Sequence, residues 1–386
     1  MAASDQASEQ PLVSVIVPAR NEEVSLRTCL ESLVAQEGIT FELIVVDDNS
    51  TDRTREIAES FAKARVVDAG PLPPNWTGKN NAMTVGARQA KGKWLLFTDA
   101  DTVHKPRSLA RAVAEGEEYG AALLSYSPDQ EVRGFWEKAV MPVIFAELAA
   151  TYPPKKVNDP ASPIAAANGQ YLLISREAYD AVGGHAAISG NLLEDVALAR
   201  LVKTSGRRLR FRYGGDAVRT YMYRGFRQLR EGWTKNLALL FSPAWALGCW
   251  RLAEFTFIAT MIVASAAFSM FSGIFVGALQ PALLALIVLF FFWFRIRAAH
   301  FSVSSNMLAI LGLPIFAYLL FRSGKVQKRG AIEWKGRTYP ASHPAAVGSL
   351  SFKISGVILL LLAVQIPFFL AGIFVLIAYG DRIFRR

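Results

Sequence analysis

Trp94-Leu95-Leu96-Phe97-Thr98-Asp99-Ala100-Asp101-Thr102 is the stretch on which the reading of this chain turns. A short apolar run that stops at two acids has the pattern of a buried strand carrying carboxylates to the edge of a sheet. Side chains alternate along extended backbone, so Asp99 and Asp101 are expected on one side and Ala100 on the other. Two adjacent carboxylates suit a hard divalent cation that also takes phosphate oxygens. A turn with solvated acids after a core strand would look the same in isolation. The neighbouring sequence separates the two.

Upstream, residues 12–17 form an apolar, β-rich run closed by Pro18, then a polar turn at 19–23 and an amphipathic helix over about 24–36. Residues 41–46 repeat the pattern and end in Asp47-Asp48-Asn49-Ser50-Thr51-Asp52, where Ser50 or Thr51 is placed to cap a helix reaching about Ala62. A third strand is expected at 65–67, a loop at 71–78 and a helix at 79–90. Apolar strands alternating with helices predict an α/β fold with a mostly parallel, doubly wound sheet. Such sheets bind ligands at the carboxyl ends of their strands. Residues 18–22, 47–52 and 99–101 all fall there.

Downstream, the pattern predicts a helix at 107–119, a strand at 121–127 and a strongly apolar helix at 135–151, either core or membrane-interfacial. The small-residue loop 165–170, with Asn168 and Gly169, permits close approach of backbone to a ligand. A second such turn holds His185, which would shape an acceptor pocket or simply pack. Glu194-Asp195 then opens a helix over 196–204. A carboxylate there is stabilised as the anion and can accept a hydroxyl proton, although an ordinary capping acid would occupy the same place.

The chain has neither a Gly-x-Gly-x-x-Gly fingerprint nor a P-loop. Asp47 can accept a hydrogen bond from a base or ribose, with Arg20 and Lys79 offsetting phosphate charge.

Val-Ile-Val-Pro-Ala-Arg-Asn-Glu (15–22), Val-Val-Asp-Asp-Asn-Ser-Thr-Asp (45–52), Gly-Lys-Asn-Asn-Ala (78–82) and Phe-Thr-Asp-Ala-Asp (97–101) together resemble the family 2 glycosyltransferases of GT-A fold, over roughly residues 12–240. The resemblance implies a nucleotide-sugar donor, most often UDP-linked. It implies that Pro18, Arg20 and Glu22, with Asp47, Asp48, Lys79 and Asp99, bind the nucleotide, and that Asp99 and Asp101 hold Mg²⁺ or Mn²⁺ on the diphosphate. Its Glu-Asp pair follows the Asp-x-Asp in this order, which makes Glu194 and Asp195 catalytic, with Asp195 as the base. Many membrane members carry Gln-x-x-Arg-Trp further on. Here the spacing fails, and Arg230 and Trp233 are the nearest equivalents against diphosphate and acceptor. Gly-Trp-Thr-Lys-Asn (232–236) and Trp-Lys-Gly-Arg-Thr-Tyr (334–339) resemble instead the carotenoid- and hopanoid-associated glycosyltransferases, which adds Lys335 and Arg337 to the diphosphate side.

The 386 residues are 52% apolar, with a net charge of +10. Their mean hydropathy of +0.26 exceeds that of an ordinary soluble domain, and the excess lies beyond residue 236. With no nucleic-acid motif present, the positive charge is assigned to an anionic membrane face, and no nucleic-acid partner is expected. Two cysteines, Cys29 and Cys249, imply no disulfide framework. Residues 1–11 read as a polar tail without a signal sequence, which keeps the catalytic domain cytosolic at the cell membrane. Residues 12–236 are expected to form the GT-A domain, 237–251 an interfacial helix, and 252–386 a transmembrane region. Its hydrophobic segments are 252–279, 281–299, 306–321 and 355–379. Segment 306–321 contains Gly312-Leu313-Pro314 and is expected as re-entrant or kinked. The loop 322–353 holds seven basic residues against one acid, which favours the cytosolic side, in conflict with four full spans.

These readings converge on a metal-dependent, inverting transfer of sugar from a nucleotide to a lipid. A processive polysaccharide synthase and a non-catalytic nucleotide-binding scaffold are the alternatives.

Overall fold

The computed structural model describes residues 10–272 and 275–340. The expected span at 355–379 and all but the end of the expected tail at 1–11 lie outside the described residues. The chain folds into two compact units, one of residues 10–132, 152–224 and 329–340, the other of 133–151, 225–272 and 275–328.

In the first unit the strands are β1 (Val13–Ala19), β2 (Phe41–Asp47), β3 (Ala64–Asp68), β4 (Trp94–Phe97), β5 (Thr102–His104), β6 (Leu123–Ser127), β7 (Asp129–Gln130), β8 (Leu172–Ser175), β9 (Leu209–Tyr213) and β10 (Val218–Thr220). Its helices are α1 (Leu26–Val34), α2 (Thr54–Glu59), α3 (Gly78–Gln89) and α4 (Ser108–Glu118). Among the described residues seven strands form one sheet, in the order β3-β2-β1-β4-β8-β6-β9. The first four are mutually parallel, whereas β8 runs antiparallel to both β4 and β6. The mostly parallel α/β fold is as expected.

β1 is apolar apart from the buried, hydrogen-bonded Ser14, because both of its faces are covered. Val13, Val15 and Val17 join Leu43 and Val45 against Leu26, Leu30 and Leu33 of α1 and Leu109, Ala112 and Val113 of α4. On the opposite face α3 comes down at Gly86, where a Cβ would meet Ile16 at 2.5 Å and Val46 at 3.0 Å. Burying one such valine or isoleucine contributes roughly 1.5–3 kcal/mol. A smaller sheet, in the order β5-β10-β7, begins directly after Asp101.

The helix after β2 starts differently from expectation. Ser50 and Thr51 do not cap α2; its N-cap is Arg53, which makes no side-chain cap bond, and the Asp52 carboxylate accepts from the Thr54 amide at 3.0 Å. Ser50 and Thr51 are drawn off by the preceding loop instead. The Asn21 amide donates to Ser50 Oγ at 3.1 Å, and the Thr51 amide donates to Asn21 Oδ1 at 2.8 Å. Asn21 and Asn49 both adopt left-handed backbone, which asparagine tolerates better than most residues.

Next along the chain of helices come α5 (Phe135–Thr151), α6 (Pro154–Val157), α7 (Arg176–Ala181), α8 (Glu194–Thr204), α9 (Phe226–Leu240), α10 (Ala244–Ser272), α11 (Phe275–Ile296) and α12 (Val303–Lys328). Of these, α5 and α9 to α12 belong to the second unit. Among the described residues three segments are long and apolar enough to cross a membrane: Ala244–Met270, Leu279–Ala299 and Val303–Lys328. Two expectations are corrected here. Residues 237–251 are not one interfacial helix but the end of α9 and the start of α10, parted at 241–243 where Pro243 cannot donate to a continuing helix. The 306–321 segment is not re-entrant; it lies within the single helix α12, in spite of Pro314. Packing carries the helix through: Leu313, Phe316 and Ala317 are buried, and Gly312 lets the Ala139 carbonyl of α5 come into contact.

This unit buries an ion network between its apolar helices. Arg251 pairs with Glu147 and Glu254 at 2.8 Å each, and Arg295 reaches Glu254 at 3.0 Å. Removing one partner strands a buried charge, at a cost of about 3–5 kcal/mol. Glu254→Ala is therefore expected to lower the unfolding midpoint of the full-length protein in micelles. An unchanged midpoint in a thermal scan would contradict the network's role.

The chain finally returns to the first unit as a hairpin, β11 (Ala331–Trp334) and β12 (Arg337–Pro340). Lys335 and Gly336 both have positive φ, as a tight two-residue turn requires.

Candidate active site

Three loops at the carboxyl ends of β1, β2 and β4 meet in the first unit. The first two are stitched together by hydrogen bonds: the Asp48 amide donates to the Ala19 carbonyl at 2.8 Å, and the Glu22 amide to Oγ1 of the Thr54 side chain at 2.7 Å. Arg20 extends from the first loop and donates to the Asp48 carbonyl at 2.5 Å and the Asn49 carbonyl at 3.1 Å. Pro18 lies half-buried, paired with Val46 across the sheet. Asp47 is buried, accepts from the Ser50 amide at 3.2 Å and lies 3.8 Å from Arg55.

The Asp-Ala-Asp segment lies just past the end of β4, in the turn leading into β5. Ala100 is buried in the core, whereas Asp99 and Asp101 are each half-buried. The turn is fixed from beneath by side chains that sequence reading does not single out. Thr102 Oγ1 donates to the Asp99 carbonyl at 2.7 Å, and Thr220 Oγ1 to the Asp101 carbonyl at 3.1 Å. His104 Nε2 lies 3.1 Å from Thr98 Oγ1 and 3.2 Å from Thr102 Oγ1. Burial pushes the His104 imidazole down to about 3, so it supports the turn as a neutral ring.

Lys79, in the first turn of α3, joins the two acidic halves. Its Nζ lies 2.7 Å from Asp99 Oδ1 and 2.6 Å from Glu194 Oε1. Burial disfavours the ammonium, but the charges of Asp99 and Glu194 outweigh it and hold Lys79 above the ordinary lysine range. Beside it Asp195 accepts from the Gly169 amide at 2.9 Å and from its neighbour Val196 at 2.8 Å. Gly169 permits this approach, since a Cβ there would sit 3.1 Å from Glu194 and 3.2 Å from Lys79. Burial, and then the charge of Glu194, push the Asp195 carboxyl up to about 6. A carboxylate poised near neutrality suits a general base.

Asn80, within the Gly-Lys-Asn-Asn-Ala stretch, positions this segment. Fully buried, it donates to the carbonyls of Ile188, Ser189 and Asn191 at 2.9–3.0 Å, clamping the chain just before Glu194 and Asp195. Sequence carries no sign of such a clamp, because burial of a polar side chain is set by tertiary contacts.

A divalent cation fits the acid pair. Among the described residues Asp101 Oδ1 is buried with no hydrogen-bond partner. Burial, then the charges of Asp99 and Glu22, push the Asp101 carboxyl up to about 7, a cost that a cation would relieve. Among the described residues no three His, Cys, Asp or Glu side chains could hold a metal ion by themselves. Two carboxylates completed by substrate oxygens are the usual arrangement for Mg²⁺.

Lys335 and Arg337 reach the same loops, but through acids. Lys335 pairs with Glu22 and donates to the Arg20 carbonyl at 3.1 Å. Arg337 grips Asp48 with both guanidinium nitrogens, at 2.5 and 3.1 Å. Other expected residues are placed elsewhere. His185 packs, the second of its two expected roles: it is buried against Phe97, bonded through Nδ1 to Tyr179 at 3.0 Å and pushed down to about 3 by burial. The Asn168 side chain closes its own turn, accepting from the Gln170 amide at 2.9 Å. Arg230 and Trp233 lie on α9 in the helical unit, where Trp233 is buried and donates to Met141 Sδ at 3.4 Å. An indole packed in that way is not free to cover a ligand.

Residues 14–183 match the family model described as glycosyl transferase family 2. Over 351 residues the chain is 26% identical to 4,4'-diaponeurosporenoate glycosyltransferase of Staphylococcus aureus (strain USA300), covering 86% of this chain and 88% of that protein. Among solved structures it is similar to a mannosyltransferase from Pyrobaculum calidifontis in complex with GDP-Man and Mn²⁺, at 19% identity and a TM-score of 0.46, covering 83% of this chain and 87% of that one. It is also similar to glucosyl-3-phosphoglycerate synthase from Mycobacterium tuberculosis in complex with Mn²⁺, UDP and glucosyl-3-phosphoglycerate. That likeness has 22% identity and a TM-score of 0.38, over 57% of this chain and 75% of the other.

Proposed function

We propose that this chain, whose residues 14–183 match the family 2 glycosyl transferase model, acts as a glycosyltransferase of that kind and moves a sugar from a nucleoside-diphosphate donor, of the UDP type, to the hydroxyl or carboxylate of a membrane lipid. The observation that carries the reading is the Lys79 bridge, which brings the Asp-x-Asp turn and the Glu194-Asp195 helix start into one charged cluster. Pro18, Arg20, Glu22, Asp47 and Asp48 line the loops that would take the nucleoside. Asp99 and Asp101 would hold Mg²⁺ or Mn²⁺, which when bound supplies Lewis-acid stabilisation of the departing diphosphate. Asp195 takes the proton from a hydroxyl acceptor at its carboxylate, and Lys79 keeps Glu194 and Asp99 balanced while it does so. Attack from the face opposite the leaving group inverts the anomeric centre.

The acceptor class rests on chemistry and on the relative, whose name gives 4,4'-diaponeurosporenoate as what it glycosylates. We carry over only the class: an apolar lipid ending in an oxygen nucleophile. Comparing lipid extracts from cells with and without the expressed chain by mass spectrometry tests it. A hexose-shifted lipid is expected; soluble polymer instead would favour a processive synthase.

We propose a membrane topology on the strength of the hairpin. β11 and β12 bond to loops of the first unit, which supports a chain that leaves and returns on one side between residues 225 and 329. An even number of crossings fits that course, and of the three apolar helices we take two as spanning. We assign the spans to α10 and α11, which expose Ile262, Val263, Leu283, Leu286 and Phe290, and leave α12, half of whose most apolar window is buried, lying on the catalytic, cytosolic side. Ala62→Cys and Thr338→Cys, each in a chain lacking Cys29 and Cys249, are expected to react with an impermeant maleimide from the same side. Labelling from opposite sides would contradict the assignment.

A further inference from the structure

Among the described residues Lys335, Arg337 and Tyr339 of the hairpin bond to loops that the nucleotide reading assigns to the donor. Lys335 is paired with Glu22 of the first loop. Arg337 holds Asp48 of the second in a two-nitrogen grip. The Gly78 amide, at the start of α3, donates to the Tyr339 hydroxyl at 3.4 Å. The space a Cβ would fill at Gly78 is taken by the Arg337 guanidinium and the Asp48 carboxylate, so glycine there is what allows the hairpin to seat.

The hairpin is built to move as one piece. Ile332 and Tyr339 are cross-strand partners, as are Trp334 and Arg337, and these four side chains are buried or half-buried. Ala331, Glu333, Thr338 and Pro340 alternate with them and are exposed. The tip is a tight turn, and the only link to α12 is Arg329-Gly330. Gly330 has φ +78, with nothing within 4 Å of its Cβ position, so it can serve as a hinge. Its polar contacts run from the partly exposed Lys335 to the more covered Arg337, and a competing anion can exchange with both cations.

We propose that the β11–β12 hairpin is a strap, closed over the donor loops when no nucleotide is bound, and that a nucleoside diphosphate binds by displacing it from Glu22, Asp48 and the Gly78 amide. The inference rests on the reading of those loops as the nucleotide site. A helix-start amide attracts phosphate oxygens, so the Tyr339 hydroxyl occupies a position that the donor can claim. Because such coupling is reciprocal, loosening the strap tightens nucleotide binding, and nucleotide loosens the strap.

The test uses the full chain in detergent micelles, with UDP and GDP, each with Mn²⁺, as probes. Tyr339→Phe removes the hydroxyl that meets the Gly78 amide and leaves both cations in place. Losing the hydroxyl's bonds to the Gly78 amide and the Arg337 side chain in the closed form is expected to tighten binding of whichever nucleotide the wild type binds by at least roughly twofold to tenfold. Trypsin is expected to cut after Lys335 and Arg337 faster once that nucleotide is added. Equal or weaker binding by Tyr339→Phe, or protection of those cuts by nucleotide, overturns the strap while leaving the nucleotide site standing. Absence of binding by both proteins removes the nucleotide reading and the strap with it.

Discussion

Asp195→Asn is expected to slow sugar transfer by roughly 10²–10⁴-fold, the range over which a positioned general base acts, while nucleotide binding is kept. The asparagine is close in shape and can still accept from the Gly169 amide, which holds the aspartate at 2.9 Å. What it loses is the capacity to take a proton. The same residue sets the acid limb of the pH profile. Burial and the Glu194 charge raise its carboxyl to about 6, and only the ionised form is a base, so activity should fall as pH drops through about 6. An unaltered rate in Asp195→Asn, or an acid limb retained in the residual activity, would move the base elsewhere.

Asp101→Asn should abolish metal-dependent transfer and at the same time make the metal-free protein more stable. The carboxyl is raised to about 7 by burial and by Asp99 and Glu22, far above its unfolded value of about 3.9. Between those values the folded state binds more protons than the unfolded one, so stability falls as pH rises through that window and the cost is complete above about 7. Asparagine has no such charge to bury. A gain of about 2–4 °C in the midpoint at pH 8, the effect of roughly 1 kcal/mol in a domain of this size, should shrink as pH is lowered toward 4. Stability bought at the expense of function is common in strained sites. A variant that loses stability at pH 8 would show that Asp101 is a structural acid.

Much of the fold is written locally. The buried strands through β4 read directly from apolar runs, because a parallel strand covered on both faces leaves few polar positions to confuse the pattern. β8 is different: four residues, Leu172–Ser175, are too few to tell strand from helix, and its antiparallel insertion between β4 and β6 is decided by pairing far along the chain. The acids of the site are legible for the same reason as the strands, since they stand where apolar runs stop. The residues that hold them are not. Asn80, Thr98 and His104 act through buried contacts to distant backbone or side chains, and nothing in their neighbours announces it. Conversely, His185 and Trp233 look functional because they are polar aromatics near motifs, and burial converts both to packing. The hairpin is the clearest case: Lys335 and Arg337 lie more than 280 residues from Glu22 and Asp48, and only the folded chain brings each to its acid.

Transfer in a defined mixture tests the central claim most directly. The purified full-length chain, in micelles with a lipid extract, is given a panel of nucleotide sugars with Mn²⁺, and the organic phase is read by mass spectrometry. A lipid gaining one sugar is expected, lost on adding EDTA and with Asp101→Asn, and restored to the wild type by Mn²⁺. A wild-type chain that glycosylates lipid equally well in EDTA, or that yields sugared lipid undiminished by Asp101→Asn, would contradict it.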